Sequence, residues 1–173
     1  MDLSSLVDFA NAATADIAKY QVPFVLNAEK ILADGHPVAA LNWQSISYGD
    51  AELNNVPDDK RGIYAFVIHR TSGILPPHGY ILYIGIAGRN SDRSLRARYK
   101  DYLNPKKVIK RDRIARMIGT WNPVLKFFFA SVDDNVSSAD LEALEKQLNT
   151  AFMPPFSEGD LEGDAKRKRR AFR

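Results

Sequence analysis

A chain of 173 residues that is 45% hydrophobic and has no cysteine suits one domain with an appended arm, and it excludes a disulfide framework, a thiolate nucleophile and a cysteine-ligated zinc. No run of about eighteen apolar residues occurs and no basic region precedes an apolar block at the N-terminus, so a soluble, cytoplasmic protein without membrane contact is expected. The net charge of +3 hides an asymmetry: residues 1–60 hold nine acids and three bases, whereas residues 61–173 hold 21 bases and 12 acids.

In chain order, residues 3–18 place Leu3, Leu6, Val7, Ala10, Ala13 and Ile17 at helical spacing and predict an amphipathic helix. A second, short helix is expected within 23–33, followed by a polar, turn-rich passage to Lys60. Gly62 to His69 and Tyr80 to Gly85 are rich in β-branched and aromatic residues. They read as two strands joined by a loop containing Ser72-Gly73 and Pro76-Pro77-His78-Gly79. Ser94 is placed to cap a helix over Leu95 to Leu103, and Arg111 to Ile118 suits another. Leu125 to Val132 is a third strand. Ser137 or Ser138 caps a last helix through Phe152, which Pro154-Pro155 stops.

The expected fold is therefore α+β: a small three-stranded antiparallel or mixed sheet flanked by helices, with an N-terminal helical extension. Three parts are expected: an acidic, partly helical extension over 1–60 and a basic tail over 158–173, both marked by composition, and between them a core domain over 61–157, whose bounds are those of the family resemblance given below. The first 57 residues offer a surface for a protein partner or for self-association.

The basic half bears on ligand class. Arg89 to Arg116 holds eleven Lys and Arg against three acids, and six of the eight residues Lys166 to Arg173 are basic. One such cluster is as often a solvated face as a binding surface. Two clusters around a candidate site favour a polyanion, because each neutralised phosphate releases a counterion. Arg89, Arg93, Lys106, Lys107, Lys110 and Arg111 are the candidate nucleic-acid contacts.

Helical geometry selects two further residues. On the helix over 95–103, Arg98 falls about 60° from Leu95 on the side of Tyr99 and Tyr102, whereas Arg96 and Lys100 point away. On the last helix, Glu145 lies about 40° from Leu141 in the stripe of Leu144, Leu148 and Phe152, and Glu142 lies about 100° away. A carboxylate beside an apolar stripe is costly unless a cation or metal pairs with it. Each residue alone has a bland reading: a strand tyrosine usually packs, an arginine usually snorkels and a helix glutamate is usually solvated.

Together, and in this order, Gly62-Ile63-Tyr64, Tyr83-Ile84-Gly85, Arg98 and Glu145 resemble the GIY-YIG nucleases. The helix Leu95-Arg96-Ala97-Arg98-Tyr99-Lys100-Asp101-Tyr102 is similar to the family's L-x-x-R-x-x-x-Y/H pattern, and LEKQLNTAFMPPF is similar to its L-E-x-x-L-I helix and following proline. The resemblance spans about Arg61 to Ser157. Eighteen residues separate Tyr64 from Tyr83, the position after YIG is Ile86 where many members have lysine, and Ser157 stands near where an asparagine is common. Arg89 is the candidate to supply the missing positive charge.

The resemblance implies a metal-dependent endonuclease that hydrolyses nucleic-acid phosphodiesters, with DNA as the first expectation. Its implied catalytic residues are Tyr64, Tyr83, Arg98, Tyr102 and Glu145, with Glu145 holding one divalent ion, Mg²⁺ or Mn²⁺. Either Tyr64 or Tyr83 would position and deprotonate water, Arg98 would bind the phosphoryl oxygens, and Tyr102 would support them by hydrogen bonding. The alternative is a non-catalytic nucleic-acid-binding module on the same fold. His36, His69 and His78 show no metal-ligand spacing, and Gly85-x-x-Gly88 lacks the lysine of a phosphate-binding loop.

Overall fold

The computed structural model describes residues 4–32, 41–69, 78–89 and 91–157. The basic tail, His36 and the loop residues Ser72-Gly73 and Pro76-Pro77 lie outside the described residues. Helix α1 (Ser4–Ala18) and the short α2 (Ala28–Ile31) precede strand β1 (Gln44–Ser47). The hairpin strands β2 (Gly62–His69) and β3 (Gly79–Ala87) follow. Then come α3 (Leu95–Leu103), α4 (Pro105–Val108), α5 (Asp112–Trp121), β4 (Leu125–Ser131) and α6 (Ser138–Phe152). Among the described residues no helix is long and apolar enough to cross a membrane.

The class is α+β as expected, but the sheet has four strands, not three, and all pairings are antiparallel in the order β1-β4-β2-β3. Strand β1 lies in the passage read from sequence as turns, and it pairs from Gln44 opposite Phe129 to Ser47 opposite Lys126. Its signal was too small to see. Of Gln44, Ser45, Ile46 and Ser47 only Ile46 is buried, so a four-residue edge strand contributes a single apolar residue to the alternation. Val56, fully buried, and the half-buried Tyr48 and Leu53 join the same core. The packed unit thus begins well before residue 61.

Period-2 alternation sorts the strand residues into two layers. Tyr64, Phe66, Phe127 and Phe129 face α3 and α5, where Leu95, Tyr99, Tyr102, Ile114 and Met117 close over them. Ile63, Ala65, Val67, Ile84 and Ile86 face the opposite side and pack on Leu141 and Leu144 of α6. Helices therefore cover both faces. Ser94 accepts from the Ala97 N–H at 3.1 Å and Ser137 from the Asp140 N–H at 3.1 Å, which fixes the starts of α3 and α6.

Strand β3 forms the other rim of the sheet, and the chain after α6 closes it. Phe156 N–H donates to the Leu82 carbonyl at 3.0 Å, and Ser157 Oγ accepts from the Ile84 N–H at 3.0 Å. An edge strand covered in this way offers fewer free backbone groups to another chain. By contrast, α1 buries none of its residues: the expected stripe forms a helix, but Leu6, Val7 and Ile17 are exposed.

Candidate active site

The tyrosine cluster begins at glycines. Gly62 packs so tightly on β4 that a Cβ there would lie 2.1 Å from the Ala130 carbonyl oxygen. Gly85 sits opposite Tyr64 across the β2–β3 ladder, and a Cβ on it would lie 2.6 Å from the Tyr64 hydroxyl. The two glycines of GIY and YIG thus leave room, one for a backbone and one for a phenol.

Tyr64 is fully buried, and its hydroxyl shares a 2.7 Å hydrogen bond with the Tyr102 hydroxyl. Arg98 Nε donates to the Tyr64 oxygen at 3.0 Å. Arg111 reaches the Tyr102 hydroxyl at 3.5 Å and lays its guanidinium over that ring at 4.9 Å, so this residue of the expected nucleic-acid face joins the tyrosine cluster. Tyr83 stands beside them, its ring 6.2 Å from Tyr64 and 6.3 Å from Tyr102.

Tyr83, Arg98 and Glu145 line one cleft of about 360 Å³ together with Ile86, Gly88, Arg89 and Arg93. Arg98 comes from α3 and Glu145 from α6, on opposite faces of the sheet. They meet around the end of the rim strand β3, where the sheet no longer separates them. Tyr64 and Tyr102 are not in the cleft wall; they sit behind it and brace Arg98.

Glu145 is only 3% exposed, and Arg89 donates to its Oε2. Arg89 also lies 3.8 Å from Glu142 Oε1. The loop that presents Arg89 is pinned: Gly88 adopts φ +86°, and Arg61 packs against it, donates to its carbonyl at 3.3 Å and reaches Ser138 Oγ at 3.2 Å and the Val136 carbonyl. Arg61 therefore ties the end of β3 to the start of α6. Its role was hidden because the sequence does not show what a residue before GIY would reach.

Asp101 was also missed. It holds Arg93, lies 2.7 Å from Lys107 Nζ and stands 3.9 Å from Arg98 Nη1, gathering three cations of which Arg93 and Arg98 line the cleft. Its position three residues after Arg98, on the same helix face, was the available signal. Lys106, Lys107 and Lys110 are exposed on and just after α4, a turn capped by Asn104, which accepts from the Lys106 N–H at 3.0 Å.

Electrostatics follow from these contacts. Burial pushes the Tyr64 and Tyr83 hydroxyls above the usual phenol value, the neighbouring Tyr102 adds to the rise, and Arg98 opposes it. Burial works against the charge of Arg98, but the oxygens of Tyr64, Tyr102 and Tyr83 outweigh it and hold the group firmly protonated. Burial likewise works against Asp101, and Lys107, Arg93 and Arg98 together bring it below the usual carboxylate range.

Among the described residues no group of three or more His, Asp or Glu side chains is assembled as a metal cage. The cleft offers one carboxylate, which fits a hard cation that completes its shell with water and phosphate oxygens. Comparison with known proteins gives no match: no protein-family model, no curated protein and no solved structure matches this chain.

Proposed function

We propose that the protein is a nuclease of the GIY-YIG type, hydrolysing nucleic-acid phosphodiesters with one divalent ion, and that DNA is its first substrate to test. The observation that supports this most is the convergence of Tyr83, Arg98 and Glu145 on one cleft from three separate elements. In hydrolysis, water oxygen attacks phosphorus and gives up a proton, the bond to the leaving sugar oxygen breaks, and that oxygen takes up a proton. Tyr83 is the tyrosine that reaches the cleft, so it orients the attacking water, while Tyr64 holds Arg98 in place. With its hydroxyl raised by burial, Tyr83 is a neutral phenol near pH 7 and needs added positive charge nearby to act as a base.

Arg98 provides charge-assisted hydrogen bonds to the phosphoryl oxygens, whose negative charge grows as the leaving bond breaks. Glu145 would hold the ion, which when bound supplies positive charge to stabilise the leaving oxygen. Exposed Lys106 and Lys110, with Arg93 at the cleft, supply positive charge for phosphates along the strand.

One observation favours a second reading, the non-catalytic nucleic-acid-binding module: Glu145 is paired with Arg89. One experiment separates the two. Single-stranded, duplex and branched DNA are incubated with the protein in Mg²⁺ or EDTA, beside Glu145→Ala and Arg98→Ala. Mg²⁺-dependent cleavage that falls at least about 100-fold in both folded variants supports the nuclease. Binding by the parent protein without cleavage assigns the binding module.

A further inference from the structure

We propose that Arg89 is the displaceable counter-charge of the Glu145 site: its guanidinium and a divalent cation compete for the same carboxylate, and ion uptake turns Arg89 over to the phosphate. This inference rests on the nuclease reading above. Its ground is the contrast between the partners of the three arginines in the cleft wall.

Arg98 is braced by the Tyr64 hydroxyl and sits next to Asp101. Arg93 is held by Asp101. Arg89 is the arginine placed on Glu145, the carboxylate that would take the ion. A carboxylate this buried needs a positive partner, and without an ion Arg89 provides it.

The geometry suits an exchange. The Arg89 side chain is 44% exposed while that of Glu145 is 4% exposed, so the cation borders solvent and the anion does not. The loop backbone need not move, because Arg61 fixes Gly88 from beside it. Glu142, with Oε1 3.8 Å from Arg89 Nε and a side chain 45% exposed, keeps the withdrawn guanidinium at the cleft. An ion on either oxygen of Glu145 brings a second positive charge beside the guanidinium, and their repulsion drives Arg89 off. Arg89 then joins Arg98 and Arg93 facing an anionic ligand. The ion and the phosphodiester should therefore each strengthen the other's binding, by the same factor.

The test uses the full chain, first with Mn²⁺ alone, read as bound ion by electron paramagnetic resonance. Arg89→Gln should bind Mn²⁺ about tenfold more tightly than the parent, and Glu145→Gln should lose the site. Binding of a labelled oligonucleotide should gain affinity from Mn²⁺ in the parent and gain less in Arg89→Gln, where the ion still meets the phosphate but no arginine is released to join it. Equal or weaker Mn²⁺ binding by Arg89→Gln overturns the exchange while leaving the nuclease reading intact. No Mn²⁺ site sensitive to Glu145→Gln in the parent or in Arg89→Gln overturns both. Should Arg89→Gln fail to fold, Arg89→Lys replaces it: the shorter, single-point cation should hold Glu145 less well and bind Mn²⁺ more tightly than the parent. Unchanged or weaker binding there also overturns the exchange.

Discussion

Tyr64 concentrates the residue-scale logic of this protein. A buried phenol needs a partner for its oxygen, and here Tyr102 and Arg98 both supply one. Replacing Tyr64 by Phe removes both bonds and should cost about 1–3 kcal/mol at neutral pH, read by urea unfolding. The pH dependence has a definite sign. Because burial raises the folded-state values of Tyr64 and Tyr83 above that of a free phenol, their contribution is complete below pH of about 10 and declines as pH rises beyond it. Parent stability should therefore fall between pH 10 and 12. Tyr64→Phe should shed about 1 kcal/mol per pH unit of that slope, and an identical slope in parent and variant would remove the argument.

Among the elements, β3 carries the most dependence on its surroundings, since it is both a wall of the cleft and a rim of the sheet. Ser157→Ala should leave the buried Ile84 amide without its partner and cost about 1–3 kcal/mol, with faster hydrogen exchange at that amide. The elements that sequence made legible share a reason. Strands β2 and β3 are apolar and β-branched, and α3 and α6 carry Ser94 and Ser137 at their starts, so local chemistry and tertiary position agree. Strand β1 was illegible because its place is set by the partner β4 rather than by its own polar residues. Arg96 shows a different gap: helical spacing turns it away from the core, yet its guanidinium reaches back to the Val56 carbonyl at 2.6 Å, Asp58 at 2.8 Å and the Asn54 carbonyl at 2.9 Å. Spacing gives the direction of a Cβ, not the segment a long side chain finds there. The same gap hid the meeting of Arg89 with Glu145, which depends on how the end of β3 is pinned to the start of α6.

For the whole molecule, the division between core and extension is set by burial rather than charge. Removing residues 1–20 deletes α1, which has no buried side chain, and should shift the melting temperature by no more than about 2 °C. Removing residues 1–57 also takes β1, Ile46 and Val56, and should leave a chain that melts at least about 10 °C lower or does not fold. Circular dichroism melts of the two truncations check both expectations, and equal melting would refute the assignment of β1 to the core. The two-sided origin of the cleft has a consequence in time. Arg98 and Glu145 ride on helices that dock on opposite faces, so neither layer alone can bring them together, and their contacts are distant in sequence. During refolding, the cleft should re-form only after both layers have closed on the sheet, behind the recovery of helical signal. The cleft is thus a clock for the last step of assembly.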